Sequence, residues 1–353
     1  MNIKAFAADH ISAYKIKVGK YNVMLDFNGD NLTKEDVDDV DFIFLSHEHL
    51  DHCEKLINYE IVDSLKRGVK IFTTKTTKKI VSYSLTTRMN DIRHVDDYSD
   101  KIYNQIKNLL DNIVTVPFKK EIIIDDNFSF TFYRSGHTFG SSMVYIKSSD
   151  YSLLYTGDMD YADKDENRKY DFPYNMKVDY IICDGTNLFN KDYKGVYNRF
   201  VKNKLSERKP GDIVLYKART EKAVLYALSL ASKIDNCLFL YTDKLKWYIK
   251  ILYEQQYDIF KTDKVMMERE YEERKELYKD KIIVKFSDGD KGFDVNTDLS
   301  LHITKIDFSN FLETYFVEEP KKVFVGHYNF KEHNPNELEI ENAVILNVGD
   351  NDV

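Results

Sequence analysis

The sequence predicts an α/β protein in which a smaller parallel-sheet domain is inserted into a larger, sheet-containing body. Three observations support this: period-2 apolar segments run from residue 122 to about residue 155, helical patterns such as KLINYEIVDSLKR precede them, and a βαβα run interrupts the strand pattern further on. Polar residues collect where the strands end. We therefore divide the chain into residues 1–190, an insertion at residues 191–297, and a completing part at residues 298–353.

The body begins with strands. SAYKIKVG and YNVMLDF alternate in polarity around a turn at Gly19-Lys20, and DFIFLS is a short apolar run typical of a buried strand. Further strands are predicted for KIFTT, EIIIDD, FSFTFYRSG, SSMVYIKSS, YSLLYTGD and VDYIICDGTNL. One more is predicted for KKVFVGHYNF, near the end of the sequence. Sites in open α/β sheets are usually built at the carboxyl ends of strands, so side chains at these exits are functional candidates.

The insertion has its own pattern. GDIVLYKA and CLFLYTD read as strands, while TEKAVLYALSLASKI and KLKWYIKILYEQQYDIF read as helices. Alternation of strand and helix is typical of a parallel sheet, because each crossover helix returns the chain to the same end of the sheet.

Composition limits the class of protein. The chain has 353 residues, 43% of them hydrophobic, and no stretch approaches the length of a membrane span. Three cysteines at wide spacing support neither a disulfide framework nor a zinc knuckle, so we expect a cytoplasmic protein with reduced thiols. The net charge of −8 does not attract nucleic acid, and a polyanionic substrate would need a local basic groove or metal ions.

A dense histidine cluster follows the strand DFIFLS. SHEHLDHCEKL contains His47, His49, Asp51 and His52 within a few residues of one another. His47 and His49 can face one cation while Asp51 and His52 face a second, which predicts two metal sites about 3.5–4 Å apart. Cys53 comes after the last histidine, at the expected start of a helix, and is interpreted as a small core residue.

Other strand exits supply the remaining candidate ligands. His137 lies in the glycine-flanked turn of FYRSGHTFGSS, Asp158 follows LLYTG, and His327 ends KKVFVGH. Each alone is ordinary, but together with the cluster they complete a ligand set in which Asp158 could bridge both metals. Imidazoles predominate in this set and suit borderline-soft cations, so we expect two Zn²⁺ ions, with Mn²⁺ as the alternative.

These motifs, in this order and spacing, resemble the metallo-β-lactamase superfamily. The resemblance covers residues 1 to about 190 and 298 to 330, and it implies an αββα sandwich holding one or two metals at its edge. It also implies that Asp26, which closes YNVMLD, orients the histidine loop without binding metal. Since this superfamily hosts many chemistries, the fold alone does not settle the function.

The insertion resembles the cap domain of the β-CASP group of nucleases, which act in RNA processing and DNA repair. YIICDGTNL is similar to the first cap motif of that group, in which an acidic residue, here Asp184, ends a strand. SGHTFGSSM is likewise similar to its glycine-rich motif. The turn after the first strand of the insertion lacks the group's basic Gly-Arg pair and has instead Lys217, Arg219 and Lys222, which form a candidate phosphate-binding patch or a solvated helix face.

One position departs from the group's pattern. IDFSNFLETYFVEEPKKVFVGH aligns with the C-terminal motifs, but Lys305 stands two residues before Asp307, where the group has a histidine that contacts the scissile phosphate. Lys305 could neutralise a phosphate oxygen but is a poor general acid. His302 could take over that role if the loop is rearranged.

The resemblance implies a metal-dependent hydrolase, and above all a nuclease that cleaves RNA or DNA. In it Asp51 would bind metal and orient the attacking water, with Asp184 and either Lys305 or His302 completing the catalytic set. Two alternatives remain: hydrolysis of a small phosphodiester, thioester or lactone by the same metals, and an inactive binding or scaffold protein.

Overall fold

The structure of the chain is a computed structural model. It describes residues 2–6, 12–93, 99–160, 170–189, 205, 207–217, 234–255, 257, 264–287, 294–296, 302–328, 338, 340 and 342–352. The chain divides into two compact units. The first unit comprises residues 1–162, 168–192 and 302–353, and the second comprises residues 163–167 and 193–301.

The first unit contains two seven-stranded sheets. In the first sheet the strands are β1 (Asn2–Ala5), β2 (Tyr14–Val18), β3 (Tyr21–Leu25), β4 (Phe42–Phe44), β5 (Lys70–Thr73), β6 (Val114–Thr115) and β19 (Gly349–Asp352). Their order is β19-β1-β2-β3-β4-β5-β6. Pairing is antiparallel from β19 to β3 and parallel from β3 to β6, which places the exits of β3 and β4 at one edge.

The second sheet repeats this mixed arrangement. Its strands are β7 (Ile122–Asp125), β8 (Phe128–Arg134), β9 (Ser142–Ser148), β10 (Ser152–Tyr155), β11 (Tyr180–Asp184), β17 (Lys322–Gly326) and β18 (Ala343–Ile345). Their order is β18-β17-β11-β10-β9-β8-β7. Since β10, β11 and β17 are parallel, their carboxyl ends also meet at one edge.

The two sheets pack face to face on an aromatic core. The ring centroids of Phe44 in β4 and Phe130 in β8 lie 4.6 Å apart, and the buried cluster around them draws side chains from both sheets. Ile43 points to the opposite face, where it packs in a second cluster with helical residues. All three residues of β4 are buried because both faces of the sheet are covered, which explains why DFIFLS reads as a continuous apolar run.

Helices cover the outer faces. The helices are α1 (Lys34–Val37), α2 (Leu50–Cys53), α3 (Tyr59–Asp63), α4 (Lys75–Arg93), α5 (Asp100–Asp111) and α8 (Lys305–Tyr315), with a 3₁₀ helix at Glu54–Ile57. Side chains of α3, α4 and α5 pack on the first sheet. Phe308 and Phe311 of α8 pack on the second. The predicted αββα sandwich is confirmed.

The second unit contains a five-stranded sheet. Its elements are β12 (Ile213–Lys217), β13 (Cys237–Tyr241), α6 (Asp243–Glu254), β14 (Val265–Met267), α7 (Glu268–Arg274), a 3₁₀ helix at Lys275–Tyr278, β15 (Ile282–Ser287) and β16 (Val295–Asn296). The order is β14-β13-β15-β12-β16, and all neighbours are parallel, as the βαβα pattern predicts. The expected helix TEKAVLYALSLASKI lies outside the described residues, apart from its last residue, Ile234.

None of the helices in the described part of the chain is both long and apolar enough to cross a bilayer.

Candidate metal centre

The predicted site residues come together at the carboxyl ends of strands from both sheets. Asp26 follows β3, and the histidine motif follows β4. Asp158 follows β10, Asp184 ends β11, and His327 follows β17, while His137 lies between β8 and β9. The parallel pairing of these strands therefore gathers residues that are up to 301 positions apart in the sequence, as the strand-exit argument predicts.

The backbone turns sharply at two of these exits. Asp26 has φ 59° and His327 has φ 52°, both in the left-handed region that residues other than glycine rarely adopt. Such strain persists where the surrounding contacts fix the conformation, and it is found preferentially at functional sites.

The histidine motif leads into a short helix. His49 precedes α2 in an extended conformation, and Asp51 and His52 lie within this single turn of helix. Cys53 ends α2, where the sequence led us to expect a helix start; it is fully buried, as expected of a core residue, and its sulfur contacts the carbonyl oxygens of Glu48 and His49.

One group of side chains surrounds a first candidate metal position. In what we call the first metal group, one ligand atom from each of His47, His49, His137 and Asp158 lies within 4.8 Å of every other. The Oδ2 atom of Asp158 is 3.5 Å from Nε2 of His47 and 3.3 Å from Nε2 of His137. Nδ1 of His49 is 2.8 Å from Nε2 of His47. Three imidazoles and a carboxylate, residue types that bind divalent metals, thus converge at this position.

A second metal group comprises Asp51, His52, Asp158 and His327, again within 4.8 Å of one another. Here the other oxygen of Asp158, Oδ1, is 3.2 Å from Nε2 of His52 and 3.5 Å from Nε2 of His327. Oδ2 of Asp51 is 3.7 Å from Nε2 of His52. The two oxygens of Asp158 thus face different groups, which is the arrangement of a bridging carboxylate.

Unsatisfied buried atoms fit metal binding. Both carboxylate oxygens of Asp158 and Nε2 of His52 are buried and have no hydrogen-bond partner among the described residues. An orphaned buried carboxylate is costly, and coordination of a cation satisfies it. The residues present therefore fit divalent metal ions, whose number and kind are matters for the proposal below.

Asp26 orients His52, a member of the second metal group, by a hydrogen bond with the ring nitrogen that faces away from Asp158. It is fully buried and accepts hydrogen bonds from the backbone N–H and hydroxyl of Ser46, from Nδ1 of His52 at 2.6 Å and from the hydroxyl of Tyr155 at 2.5 Å. With Nδ1 of His52 engaged, its Nε2 is directed to Asp158. Carboxylate-histidine pairs of this kind fix the tautomer and orientation of metal ligands.

Burial and the close packing of the candidate ligands shift the pKa values of several of their side chains. Burial acts to raise the pKa of Asp158, but His327, His52, His302 and His137 outweigh it and hold the pKa well below its usual range. Burial and the neighbouring His52 lower the pKa of His47 well below its ordinary value, and burial lowers the pKa of His327. Burial acts to lower the pKa of His52, but Asp158, Asp26 and Asp51 outweigh burial and raise this pKa well above its ordinary value. An ionised carboxylate and neutral imidazoles are the forms that bind metal, so metal binding would require His52 to give up a proton.

His302 lies beside the metal groups. Its Nδ1 is 2.6 Å from Oδ2 of Asp184 and 3.7 Å from Oδ2 of Asp158, and its ring centroid is 4.8 Å from that of His137. Asp184 also accepts hydrogen bonds from the backbone N–H groups of Thr186 and Met159. His302 therefore lies beside the candidate metal ligands, while its catalytic role stays a prediction. Lys305 is the half-buried first residue of α8, and its phosphate-binding role stays a prediction.

The predicted basic patch lies mostly outside the described residues. Arg219 and Lys222 are not among them, and of Lys217 only the backbone, at the end of β12, is described.

The sequence did not predict several residues that form hydrogen bonds with the site residues. Ser46 directly precedes the histidine motif and Tyr155 directly precedes the TGD turn, so both positions were visible but carried no recognisable signal. Thr138, beside His137, donates a hydrogen bond to the carboxylate of Glu48 at 2.9 Å and so joins two ligand-bearing segments. Ser12, which contacts His327, lies 315 residues away and has no sequence signal.

The fold and this cluster define a metal-binding αββα sandwich protein, and comparison with known proteins specifies it further. Residues 16–167 match the model of the metallo-beta-lactamase superfamily domain. An RNase J-like protein of Methanocaldococcus jannaschii is 30% identical over 155 residues, which are 42% of this chain and 33% of that protein. A protein named probable RNase MJ4, from the same organism, is 26% identical over 238 residues, or 63% of this chain and 52% of that one.

A solved structure matches along almost the whole chain. The crystal structure of a protein of unknown function from Enterococcus faecalis V583 has a TM-score of 0.62 and 13% sequence identity, and it covers 99% of this chain and 98% of its own. At that identity it supports the fold alone. The likeness to the metallo-β-lactamase superfamily domain is therefore found in residues 16–167, which contain the histidine motif. The chain spans a third to about half of the length of the two curated relatives.

Proposed function

We propose that the chain is a metal-dependent nuclease that cleaves phosphodiester bonds of RNA or DNA at a dinuclear zinc site. The observation that carries this proposal is the placement of Asp158, whose two buried oxygens face two separate sets of metal-ligating side chains. The names of the two archaeal relatives, which describe ribonucleases, support phosphodiester hydrolysis over other reactions of this fold.

The two metal groups assign the ligands. His47, His49, His137 and Asp158 would hold one ion, and Asp51, His52, Asp158 and His327 the other. Zn²⁺ is favoured because imidazoles predominate, with Mn²⁺ as the alternative. When bound, such a pair supplies a water of lowered pKa and neutralises charge on the phosphate.

The residues of the chain have distinct tasks in this reaction. The side chain of Asp51 is 38% exposed whereas those of Asp158 and His52 are buried, so its carboxylate can both bind metal and hydrogen-bond the attacking water. Asp184 accepts a hydrogen bond from Nδ1 of His302, and the doubly protonated imidazolium form of His302 would donate its Nε2 proton to the leaving oxygen. Lys305 would bind a phosphate oxygen as a cation.

We also propose that the second unit is a β-CASP-like cap, with residues 191–297 as its extent. Its all-parallel sheet supports this assignment. A cytoplasmic location is part of the proposal and is supported by three buried free cysteines, Cys53, Cys183 and Cys237.

Cleavage of labelled single-stranded RNA and DNA tests the proposal. Purified protein loaded with Zn²⁺ or Mn²⁺ should degrade at least one of the two, and Asp51→Ala should abolish the activity. Asp150→Ala, which changes an exposed aspartate in the turn between β9 and β10, serves as the matched control and should be fully active. Unchanged cleavage by Asp51→Ala would refute the assignment.

The net charge of −8 favours one further candidate, a hydrolase of a small phosphodiester, thioester or lactone. A substrate panel separates the two, because turnover of small esters without cleavage of nucleic acid would support the second. Salt adds a criterion: binding through several phosphates weakens steeply as salt rises, whereas binding of a small ester does not. A protein that takes up no metal would instead be an inactive scaffold.

A further inference from the structure

We propose that Ser12 is a positioning residue that holds His327 in the orientation and tautomer needed at the second metal group. This inference rests on the proposed dinuclear site. The hydroxyl of Ser12 lies 2.6 Å from Nδ1 of His327, and both residues are buried.

The contact with Ser12 can determine which nitrogen of the His327 ring carries the proton. A neutral imidazole has one protonated nitrogen and one with a free lone pair, and the partner of one nitrogen determines which is which. Nε2 of His327 faces Oδ1 of Asp158 at 3.5 Å and Oδ2 of Asp51 at 3.8 Å, which is the side of the second metal group. Nδ1–H must therefore donate to the oxygen of Ser12, so that the Nε2 lone pair faces the metal position.

The hydroxyl of Ser12 has a second partner that leaves it free to accept from His327. It also hydrogen-bonds the side chain of Tyr14. A hydroxyl has one donor and two acceptor positions, so Ser12 can donate to Tyr14 while it accepts from His327.

Residues 12–14 also contact the backbone near the second metal group. The N–H of Ser12 donates to the carbonyl of Asp51 at 3.0 Å, so Ser12 contacts two members of the second metal group, one by side chain and one by backbone. The hydroxyl of Tyr14 packs on Gly326, where a Cβ would lie 2.0 Å from that oxygen. Because Gly326 directly precedes His327 and its left-handed turn, residues 12–14 fix the ring and the backbone of His327 together.

His327 and His52, both in the second metal group, differ in the group that holds Nδ1 of each ring. Nδ1 of His52 is held by the carboxylate of Asp26, which has several other donors to keep it in place. Nδ1 of His327 is held by a neutral hydroxyl, 315 residues distant in sequence. Removal of this hydroxyl should therefore weaken the second metal position and spare the first, to which Ser12 makes no described contact.

Titration of metal-free protein with Zn²⁺ by calorimetry tests the inference. The wild-type protein should bind two ions. In Ser12→Ala one binding step should weaken about 10–100-fold, the range typical of lost contacts behind a metal ligand, while the other step is unchanged. Ser129→Ala is the matched control, because Ser129 is only 9% exposed and its hydroxyl lies 2.6 Å from a carboxylate oxygen of Glu121, which belongs to neither metal group. Both of its steps should be normal.

Ser12→Thr distinguishes the hydroxyl from the shape of the side chain. It keeps a hydroxyl and should restore at least part of the weakened step. A loss in Ser12→Thr as large as that in Ser12→Ala would overturn the role of the hydroxyl, as would two unchanged steps in Ser12→Ala. Failure of the wild-type protein itself to bind two ions would instead refute the dinuclear site.

Nuclear magnetic resonance of the metal-free protein gives a readout independent of binding. Long-range nitrogen–proton spectra of the histidine rings, assigned with His327→Gln, should show the Nδ1–H tautomer of His327 in the wild-type protein and in Ser129→Ala, and a mixture in Ser12→Ala. An Nε2–H tautomer in the wild-type protein would contradict the proposal.

Discussion

Nδ1 of His302 lies 2.6 Å from Oδ2 of Asp184, the same separation that joins Nδ1 of His52 to Oδ2 of Asp26. Each carboxylate closes or follows a central strand, β11 in one sheet and β3 in the other, and each directs one histidine toward Asp158. His52 belongs to the second metal group. His302 lies beside both groups and, with Asp158, Asp184 and His327, forms a further set whose ligand atoms lie within 4.8 Å of one another. In the proposed reaction the pair of His302 and Asp184 transfers a proton to the leaving oxygen.

His302→Ala should lower kcat for RNA cleavage about 10²–10⁴-fold, because general acids contribute that much when they protonate a leaving oxygen. The number of metals bound per chain should stay the same. Steady-state rates and metal analysis check the two parts. A phosphodiester with a good leaving group needs less protonation of its leaving oxygen. For such a substrate the decrease in kcat caused by His302→Ala should therefore be smaller. Loss of metal from His302→Ala would contradict the assignment and would make His302 a ligand.

Lys305→Gln should raise KM several-fold, about 3–10-fold, and leave kcat nearly unchanged, since a cation near the surface contributes about 1 kcal/mol to the binding of a phosphate. Lys322→Gln is a suitable control: Lys322 is also half-buried but begins β17, at the opposite end of that strand from His327. A fall in kcat as large as that of His302→Ala would show that Lys305 acts in the chemical step.

Asp26→Asn should lower the free energy of unfolding of the metal-free protein by about 2–4 kcal/mol, because the buried carboxylate accepts several hydrogen bonds that an amide cannot all replace. Tyr155→Phe removes one donor and should cost about 1–2 kcal/mol. Denaturant unfolding measures both changes. An equal cost for the two variants would show that the other donors to Asp26 contribute nothing.

Asp179 should make stability depend on pH. Its carboxylate accepts hydrogen bonds from the N–H and hydroxyl of Ser152 and pairs with Lys321 at 2.8 Å. Burial acts to raise its pKa, but Lys321 and Ser152 outweigh burial and lower the pKa below the ordinary value. A lowered pKa in the folded state stabilises the protein above the pKa of the unfolded chain, about 3.9, and this stabilisation is lost as the pH falls through the folded value.

Asp179→Asn should accordingly cost about 1–2 kcal/mol at pH 7, mainly through Ser152 because Lys321 is largely exposed, and the difference from wild type should shrink below about pH 4. Unfolding free energies across this pH range check the prediction, with the exposed Asp150→Asn as the control. A difference that stays constant with pH would contradict it.

Local patterns made much of the site predictable. The histidine motif and the candidate ligands Asp158 and His327 lie directly after apolar strands, and parallel pairing brings such exits together whatever their distance in sequence. Contacts between distant segments were not predictable, because no periodicity links Ser12 to His327 or β19 to β1. GDND in β19 has no apolar residue to mark it as a strand, and it forms one by pairing with Asn2–Ala5.

The choice between Lys305 and His302 shows the same limit. Alignment by spacing favours position 305, but Thr304 caps α8 by accepting a hydrogen bond from the N–H of Asp307, so that Lys305 already belongs to the helix. His302 lies before the cap, and its Nδ1 is 2.6 Å from Oδ2 of Asp184. Spacing in sequence does not record where a helix begins, and the contacts that decide it are formed only in the folded chain.

Titration of Zn²⁺ into metal-free protein, with cleavage of single-stranded RNA measured at each step, tests the central claim most directly. Cleavage should rise with added metal and reach its plateau at two ions per chain, and Asp158→Asn, which replaces the carboxylate shared by both groups, should show neither the second ion nor cleavage. A wild-type protein that binds two ions and leaves RNA and DNA intact would contradict the assignment as a nuclease.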